Sequence, residues 1–490
     1  MKKYNTLLPL LGILTILILL HGCKVGQKYK QPQLQLPERF RTDSTLTNAD
    51  DTLGIAEIKW RDFFQDSTLI ALIDSALHFN YDMKTALLNI TIAQRQLLQN
   101  KANYFPTVTA DIASANKQWR SSDFNSGPST RWYGHKGKDA PEDMYTYVSQ
   151  FGTQLNFSWE LDIWGKISNN SDKLNAAYLN THEARKAIQT KLITEVAQGY
   201  FNLLMLDAKI EVARRNVQLN DSTLHMIQLQ YASGEISALA IQQTESQRLL
   251  AESLVPELEK QMLIQENTLQ LLTGRLPDRV SRIKDFDGIF GNKENFDLSL
   301  GSPVAIVRNR PDIRSAELAL ISANADANIN QALRYPTLAL GGALGVNAML
   351  PKNWFNIPGA LLGNVSGSLT APIFKNRTLK TNYEVAKLNR EKAELGLQQT
   401  VLEAVNEVSN AIITVSKQHQ QLDYAKKRVN NAQLAVRNAG LLFRSGYATY
   451  LEVITAQSNA LNSDLALVEL EQKQLEAYVN LYRSLGGGWQ

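Results

Sequence analysis

Two periodicities share this chain. From Tyr145 to Leu161 nearly every odd position is apolar (Tyr145, Tyr147, Phe151, Leu155, Phe157, Trp159, Leu161), while most even ones are polar (Thr146, Gln150, Gln154, Asn156, Ser158, Glu160). A period of two sends alternate side chains to opposite faces, so this segment predicts a strand with one apolar and one wet face. Elsewhere the period is seven: Val196, Leu203, Ile210, Val217, Leu224 and Tyr231 in one stretch, Val408, Val415, Leu422, Val429, Val436 and Phe443 in another. That spacing predicts long helices with left-handed supercoiling. Lys166 to Ser233 holds no proline, and Thr378 to Ser445 is equally long, so each helix would reach roughly 100 Å at about 1.5 Å per residue. Both heptad series stop three residues before a glycine, Gly234 or Gly446. A left-handed glycine cap there predicts reversal into a second helix, Ser237 to Thr273 or Thr449 to Leu485.

The two patterns occur twice in the same order. Residue i against i+230 pairs Asp82, Lys84, Ala86, Leu88, Asn100, Phe105 and Pro106 with Asp312, Arg314, Ala316, Leu318, Asn330, Tyr335 and Pro336. Later the offset is 212, matching Tyr231, Ser233, Gly234 and Leu239 with Phe443, Ser445, Gly446 and Leu451. The change falls between the members of each strand pair, so the first copy has the longer loop. This is a tandem duplication of helix, two strands and two long helices, too long a period for a solenoid. The first repeat is expected over 61–274, with strands at about 105–119 and 145–161 and a long helix at 166–233. A linker occupies 275–301. The second repeat covers 302–490, with strands at 335–346 and 361–373 and a long helix at 378–445. Upstream, Trp60 to Asn80 reads as one short amphipathic helix and Asp82 to Asn103 as another. The latter together with Ser237–Thr273 nearly matches the unbroken helix in length, so the two could stack end to end beside it.

The strands are close to the roughly 9–11 residues that a tilted membrane strand needs. Aromatic residues gather at the loop-side end of the first pair (Trp119, Trp132, Tyr133, Tyr145, Tyr147) and at the opposite end (Phe105, Phe157, Trp159), as interfacial girdles do. Four strands cannot close a barrel, and open edges are not tolerated in lipid. Two copies would make an eight-stranded barrel filled by its own side chains; three copies, with twelve strands, are the smallest solution that leaves a conduit. A soluble sheet with a coiled-coil spacer is the competing reading.

Composition adds an address. Lys2 and Lys3 precede an apolar run from Leu7 to Leu20, followed by Leu20-His21-Gly22-Cys23. This reads as a secretory signal over 1–22, too short to span a bilayer. The only cysteine, Cys23, sits at the cleavage point and resembles the lipidated cysteine of a bacterial lipobox, although His21 stands where a small or aliphatic residue is usual. Residues 23–60 are polar, contain Pro32 and Pro37, and read as an extended arm. Loss of Lys2 and Lys3 with the signal lowers the net charge from +4 to +2, a balance that gives no argument for nucleic acid. No later run of eighteen apolar residues follows.

At the level of motifs the chain resembles the outer-membrane factors, the TolC-like family of tripartite efflux pumps, and within it the lipoproteins serving resistance-nodulation-division exporters. The resemblance rests on Trp60-Arg-Asp-Phe-Phe-Gln-Asp with Leu69, Leu72, Ile73 and Asn80, on Leu161-Asp-Ile-Trp-Gly-Lys166, on Arg310-Pro-Asp-Ile-Arg314, and on Leu485-Gly-Gly-Gly-Trp489. It implies a mixed fold, mostly α: a homotrimer with a twelve-stranded outer-membrane β-barrel and a long periplasmic α-helical barrel. It also implies two partners, a periplasmic adaptor and an inner-membrane exporter, proton-driven, with outer-membrane lipid around the strands. The family's tip pattern falls on Tyr231, Gly234, Ser237 and Leu239, and on Phe443, Gly446, Thr449 and Leu451, which are therefore expected to face the adaptor. Related channels often carry an acidic ring near the second tip. Here Tyr424 to Gly446 holds no Asp or Glu but has Lys426, Lys427, Arg428, Arg437 and Arg444. Asp221 is the acidic residue of the first copy that could face a lumen.

No catalytic, metal or cofactor constellation is legible. His182-Glu183 lacks a second histidine at 186, which is lysine, and Asp285-Phe-Asp287-Gly288 lacks the register of a calcium loop. The expectation is a non-enzymatic, passive exit duct for drugs or other small toxic compounds, lipid-anchored in the outer membrane and extending into the periplasm. The alternatives are a non-conducting coiled-coil tether, or a duct for an ATP-driven exporter.

Overall fold

The computed structural model describes residues 24–33, 58–120, 146–283 and 309–490. The expected signal, Cys23, most of the arm, the loop carrying Trp132 and Tyr133, and most of the linker lie outside the described residues. The described chain is mostly helical. In order it forms α1 (Trp60–Phe63), α2 (Ser67–Phe79), α3 (Tyr81–Ala102), β1 (Thr107–Arg120), β2 (Thr146–Leu161), α4 (Lys166–Ala232) and α5 (Ala238–Leu272). Then follow α6 (Pro311–Ala332), β3 (Thr337–Ala348), β4 (Leu361–Thr370), α7 (Thr378–Arg444) and α8 (Tyr450–Ser484). The helices repeat with equal lengths: α3 and α6 have 22 residues each, α4 and α7 have 67, and α5 and α8 have 35.

The stretch Trp60–Asn80 is two helices rather than one. Phe64 takes an extended conformation and Asp66 caps α2 by accepting from Thr68 N at 2.8 Å. The break lets two consecutive aromatics be buried: Phe63 stacks on Tyr482 at 4.2 Å, and Phe64 meets Phe63 edge-on at 5.0 Å.

The chain divides into two compact units. The first, residues 1–30, 94–177 and 320–392, contains the sheet, whose order is β1-β2-β3-β4 with every pair antiparallel. A bulge interrupts β1 between Asp111 and Ser114. Asp162 starts α4 by accepting from Ile167 N and Ser168 N at 2.9 and 2.8 Å, and so covers two of the orphan donors of that helix.

The second unit, residues 31–93, 178–319 and 393–490, is helical. One apolar cluster joins Met205, Leu206, Ile210, Leu258 and Val468. The heptad columns fare unequally. In α7 Val408, Val415, Leu422, Val429 and Phe443 are all buried. In α4 the column is covered at Val196, Leu203, Ile210 and Leu224 but Tyr231 is exposed, and Asn216, Asn220, Thr223 and Ile227 are buried beside it. Around Tyr200 the first face of α4 is covered by the α1–α2 segment and the Thr273–Ile283 stretch: the Tyr200 hydroxyl donates to Asp66 Oδ2 at 2.5 Å and accepts from Ile283 N at 3.2 Å. Burial, reinforced by Asp66, pushes that hydroxyl well above its ordinary pKa.

The returning and descending helices do meet end to end. Asn80 accepts through Oδ1 from Asp82 N at 2.8 Å at the start of α3, and its amide donates to Leu272 O at 3.0 Å at the end of α5. One side chain thus caps two helix termini. Arg310 stands 230 positions later and donates through Nη1 to Ser484 O at 2.6 Å, at the end of α8 and 212 positions after Leu272. It pairs besides with Asp312 and Glu407, both at 2.7 Å, and Glu407 also takes Arg483.

Candidate functional site

The register of the sheet decides what each face can touch, since directly opposed residues share a face. Phe157 stands between Val108 and Gly342, Leu155 between Ala110 and Leu344, and Leu161 faces Leu338, which faces Leu369. Val365 opposite Gly342 continues that apolar surface to β4. Gly342 is there because a Cβ would lie 2.2 Å from the Phe157 ring, so the aromatic ring fills the space a side chain would need. Leu155, Phe157, Leu344, Val365 and Leu369 are all exposed in the single chain.

The other face is polar or small. Asp111 accepts from Asn156 Nδ2 at 2.7 Å and Gln154 Nε2 at 3.3 Å; Asn364 Oδ1 accepts from Ala343 N at 2.9 Å. Gly341 and Gly345 keep it open on β3. At one end Trp159 Nε1 donates to Tyr104 O at 2.9 Å, and Trp164 packs on Tyr335 at 5.0 Å while donating to Pro336 O at 2.6 Å. Among the described residues β1 pairs only with β2 and β4 only with β3, so both outer edges are open. Such a sheet can present one face to hydrocarbon and the other to water, but not alone.

The helix reversals carry the second set of expected residues. Gly234 and Gly446 adopt φ +74° and +73°, and each closes the same double bond pattern: Glu235 N to Gln230 O with Gly234 N to Tyr231 O, and Tyr447 N to Leu442 O with Gly446 N to Phe443 O. This is the Schellman motif, open to glycine without the steric cost of a Cβ. Thr449 forms a capping box with Glu452, whereas Ser237 makes no side-chain cap bond and Ala240 replaces the glutamate. Tyr231, Gly234, Ser237, Leu239, Gly446, Thr449 and Leu451 are exposed. Phe443 is not: it is 5% exposed and packs with Ile227, Ala240 and Val453 in a cluster that ties the two reversals together. It is core, because helical phase at that position points it at the neighbouring hairpin rather than outward. Tyr450 donates from its hydroxyl to Gln243 Oε1 at 2.7 Å, adding a polar tie. Asp221 lies 3.5 Å from Arg248. Lys427 sits 5.9 Å over the Tyr424 ring.

Sequence reasoning missed the helix-junction caps Asn80 and Arg310 and the hub at Arg282. The 230-residue offset pairs Asn80 with Arg310, so the alignment held the first signal; unlike side chains doing one task hid it. Arg282 bridges Asp207 on α4 and Glu266 on α5, and no periodic pattern marks it.

Comparison with known proteins gives the same outline. The profile of the family described as "Outer membrane efflux protein" matches residues 72–275 and 303–487. The chain is 26% identical over 480 residues to the "Cation efflux system protein CusC" of Escherichia coli O6:H1, covering 97% of this chain and 98% of that protein. It is 26% identical to the "Probable outer membrane lipoprotein SilC" of Salmonella typhimurium, covering 98% and 99% of the two chains. Among solved structures it matches the outer-membrane channel OprN with a TM-score of 0.83 at 23% identity over 95% of this chain and all of that one. The open state of the MtrE outer-membrane channel of Neisseria gonorrhoeae matches with 0.81 at 25% identity, over 96% and 99%. One of these relatives is thus an efflux-system protein, and both solved structures are outer-membrane channels. With a family match over both repeats, a two-faced sheet and paired helical hairpins, this chain belongs to the outer-membrane efflux protein family.

Proposed function

We propose that three copies close a twelve-stranded outer-membrane barrel and a periplasmic helical barrel, forming a passive duct for small toxic compounds. A periplasmic adaptor meets the tips, and a proton-driven inner-membrane exporter supplies the energy. The carrying observation is the four-stranded sheet with one apolar face, one polar face and two open edges. A barrel is the arrangement that satisfies strand edges in lipid, and twelve strands leave a water-filled interior where eight do not. The polar face, with Asp111, Gln154, Asn156 and Asn364, then lines the lumen, which supports a duct over a coiled-coil tether. Detergent-extracted protein should have the mass of a trimer and give steady conductance in planar bilayers. A well-folded monomer, or a trimer without conductance, refutes the duct.

The lipid on Cys23 belongs to the same reading. Lys24, the next residue, pairs with Asp172 on α4 at 2.6 Å, and Val25 N donates to Trp164 O at 3.2 Å, so the chain emerging from Cys23 is held beside the sheet. Acyl chains there would contribute about 0.8 kcal/mol per buried CH₂. Cys23→Ser should abolish incorporation of radiolabelled palmitate while leaving part of the function, because the strands are themselves an anchor. Labelling that persists in the variant places the lipid elsewhere.

At the tips, Cβ atoms built on Gly234 and Gly446 meet nothing within 4 Å. A substitution therefore costs only the left-handed backbone, about 1–2 kcal/mol. Gly446→Asn should be tolerated, whereas Gly446→Trp should leave trimer content near normal yet abolish efflux and cross-linking to the adaptor. Trp variants that still cross-link and still export would move the adaptor contact away from the tips.

A further inference from the structure

We infer that β4 of one copy, extended past Thr370 to Ile373, pairs antiparallel with the part of β1 before its bulge in the next copy, in one defined register with Ile373 opposite Val108 and Ala371 opposite Ala110. This rests on the trimeric reading above and adds the residues that close it. The reasoning uses the internal duplication as a template. Within the chain, the first repeat meets the second along β2 and β3, where Leu161 faces Leu338, Trp159 faces Leu340 and Phe157 faces Gly342. In a closed ring of repeats, the second repeat must meet the first repeat of the next copy in the same way. The structure supplies both shifts: β1 and β3 are related by 230 positions. Thr107 faces Ser158 and Thr337 faces Thr370, which relates β2 to β4 by 212. Carrying the Leu161–Leu338 and Trp159–Leu340 pairs through those shifts gives the two pairs named.

Faces provide an independent check, because a slip of one residue would turn the whole apolar set toward the lumen. In this register Ile373 falls opposite Val108, and Thr370 falls opposite Asp111, so apolar meets apolar and polar meets polar. The side chains concerned are uncovered in the single chain: Ile373 is 98% exposed, Phe374 84% and Val108 63%. Phe105 is the counterpart of Tyr335 by the 230 shift, and at 72% exposed is far more open than Tyr335, whose ring meets Trp164. Helix surfaces leading to the same edges agree, with Leu87, Leu88, Ile92 and Leu98 exposed on α3 and Val385, Leu388 and Leu395 on α7. Within the chain α4 and α6 are joined by Lys173 with Asp326 at 2.5 Å and by Asn180 with Ser315 at 2.5 Å, and on α6 Leu318, the counterpart of exposed Leu88, is buried. The outer edges carry exposed apolar residues that need a second copy to cover them.

The test is oxidative cross-linking in outer-membrane preparations of double-cysteine variants, with each single-cysteine variant as control. Val108→Cys with Ile373→Cys, and Ala110→Cys with Ala371→Cys, should each give covalent dimers and trimers. Val108→Cys with Leu369→Cys, four positions out of register and roughly 13 Å away along the strand, should give almost none. The small-residue pair guards against misfolding of the first. If the displaced pair links and the aligned pairs do not, the register is wrong. Trimers by mass in which no pair links overturn the register while leaving the trimer intact; a protein that is monomeric by mass overturns the trimer itself.

Discussion

Leu155→Arg should prevent assembly in the outer membrane, while Gln154→Arg, one residue earlier, should be mild. Leu155 lies on β2 opposite Ala110 and Leu344, on the face shared with Phe157 and Val365, and is exposed in the single chain. A charge on the lipid side of a barrel costs about 2–4 kcal/mol near the bilayer midplane. Three copies multiply that cost in one assembly, against a net stability of order 5–15 kcal/mol for a typical fold. Gln154 points the other way, toward Asp111, where an added guanidinium gains a carboxylate neighbour in water. Protease-resistant trimer in outer-membrane fractions is the readout, and Val365→Arg on β4 should behave as Leu155→Arg does. If Gln154→Arg fails and Leu155→Arg assembles, the lumen and lipid faces have been exchanged.

Arg282→Met should be the most destabilising single change in the helical unit. The Arg282 guanidinium donates to Asp207 on α4, to Glu266 Oε1 on α5 at 2.5 Å and to Val280 O at 2.9 Å, and so fastens the chain that leaves α5 to both helices. Its hydrogen bonds to Asp207 hold its pKa above the ordinary arginine value against the opposing effect of burial. The Glu266 side chain is only 6% exposed, so removing the cation strands a buried carboxylate. Breaking a buried pair by deleting one partner costs about 3–5 kcal/mol, whereas neutralising the whole group with residues of similar size is often close to neutral. Thermal unfolding in detergent should show Arg282→Met melting far below the parent. The triple variant Arg282→Met, Asp207→Asn, Glu266→Gln should recover most of the loss. A single variant that melts with the parent would reduce the hub to a solvated surface contact.

The order of the long helices and strands was legible because it follows from local rules. Period two over Tyr145–Leu161 and period seven from Val196 and from Val408 depend only on which residues can share a face, and glycine at 234 and 446 depends only on backbone sterics. The two offsets were legible for the same reason, as equal elements need equal patterns. What contacts decide was not. The heptad column of α4 ends in an exposed Tyr231 while that of α7 ends in a buried Phe443, although the two positions align, since burial depends on which neighbouring hairpin lies opposite. Asn80 and Arg310 cap the ends of helices almost two hundred residues away, and Arg282 joins three segments, through bonds that no local pattern encodes. The sequence alone determined that strands with one wet face and long paired helices exist here in two copies. Only the tertiary structure decided that the sheet stays open at β1 and β4, because strand order and register are set by pairing between distant segments rather than by the preferences of either.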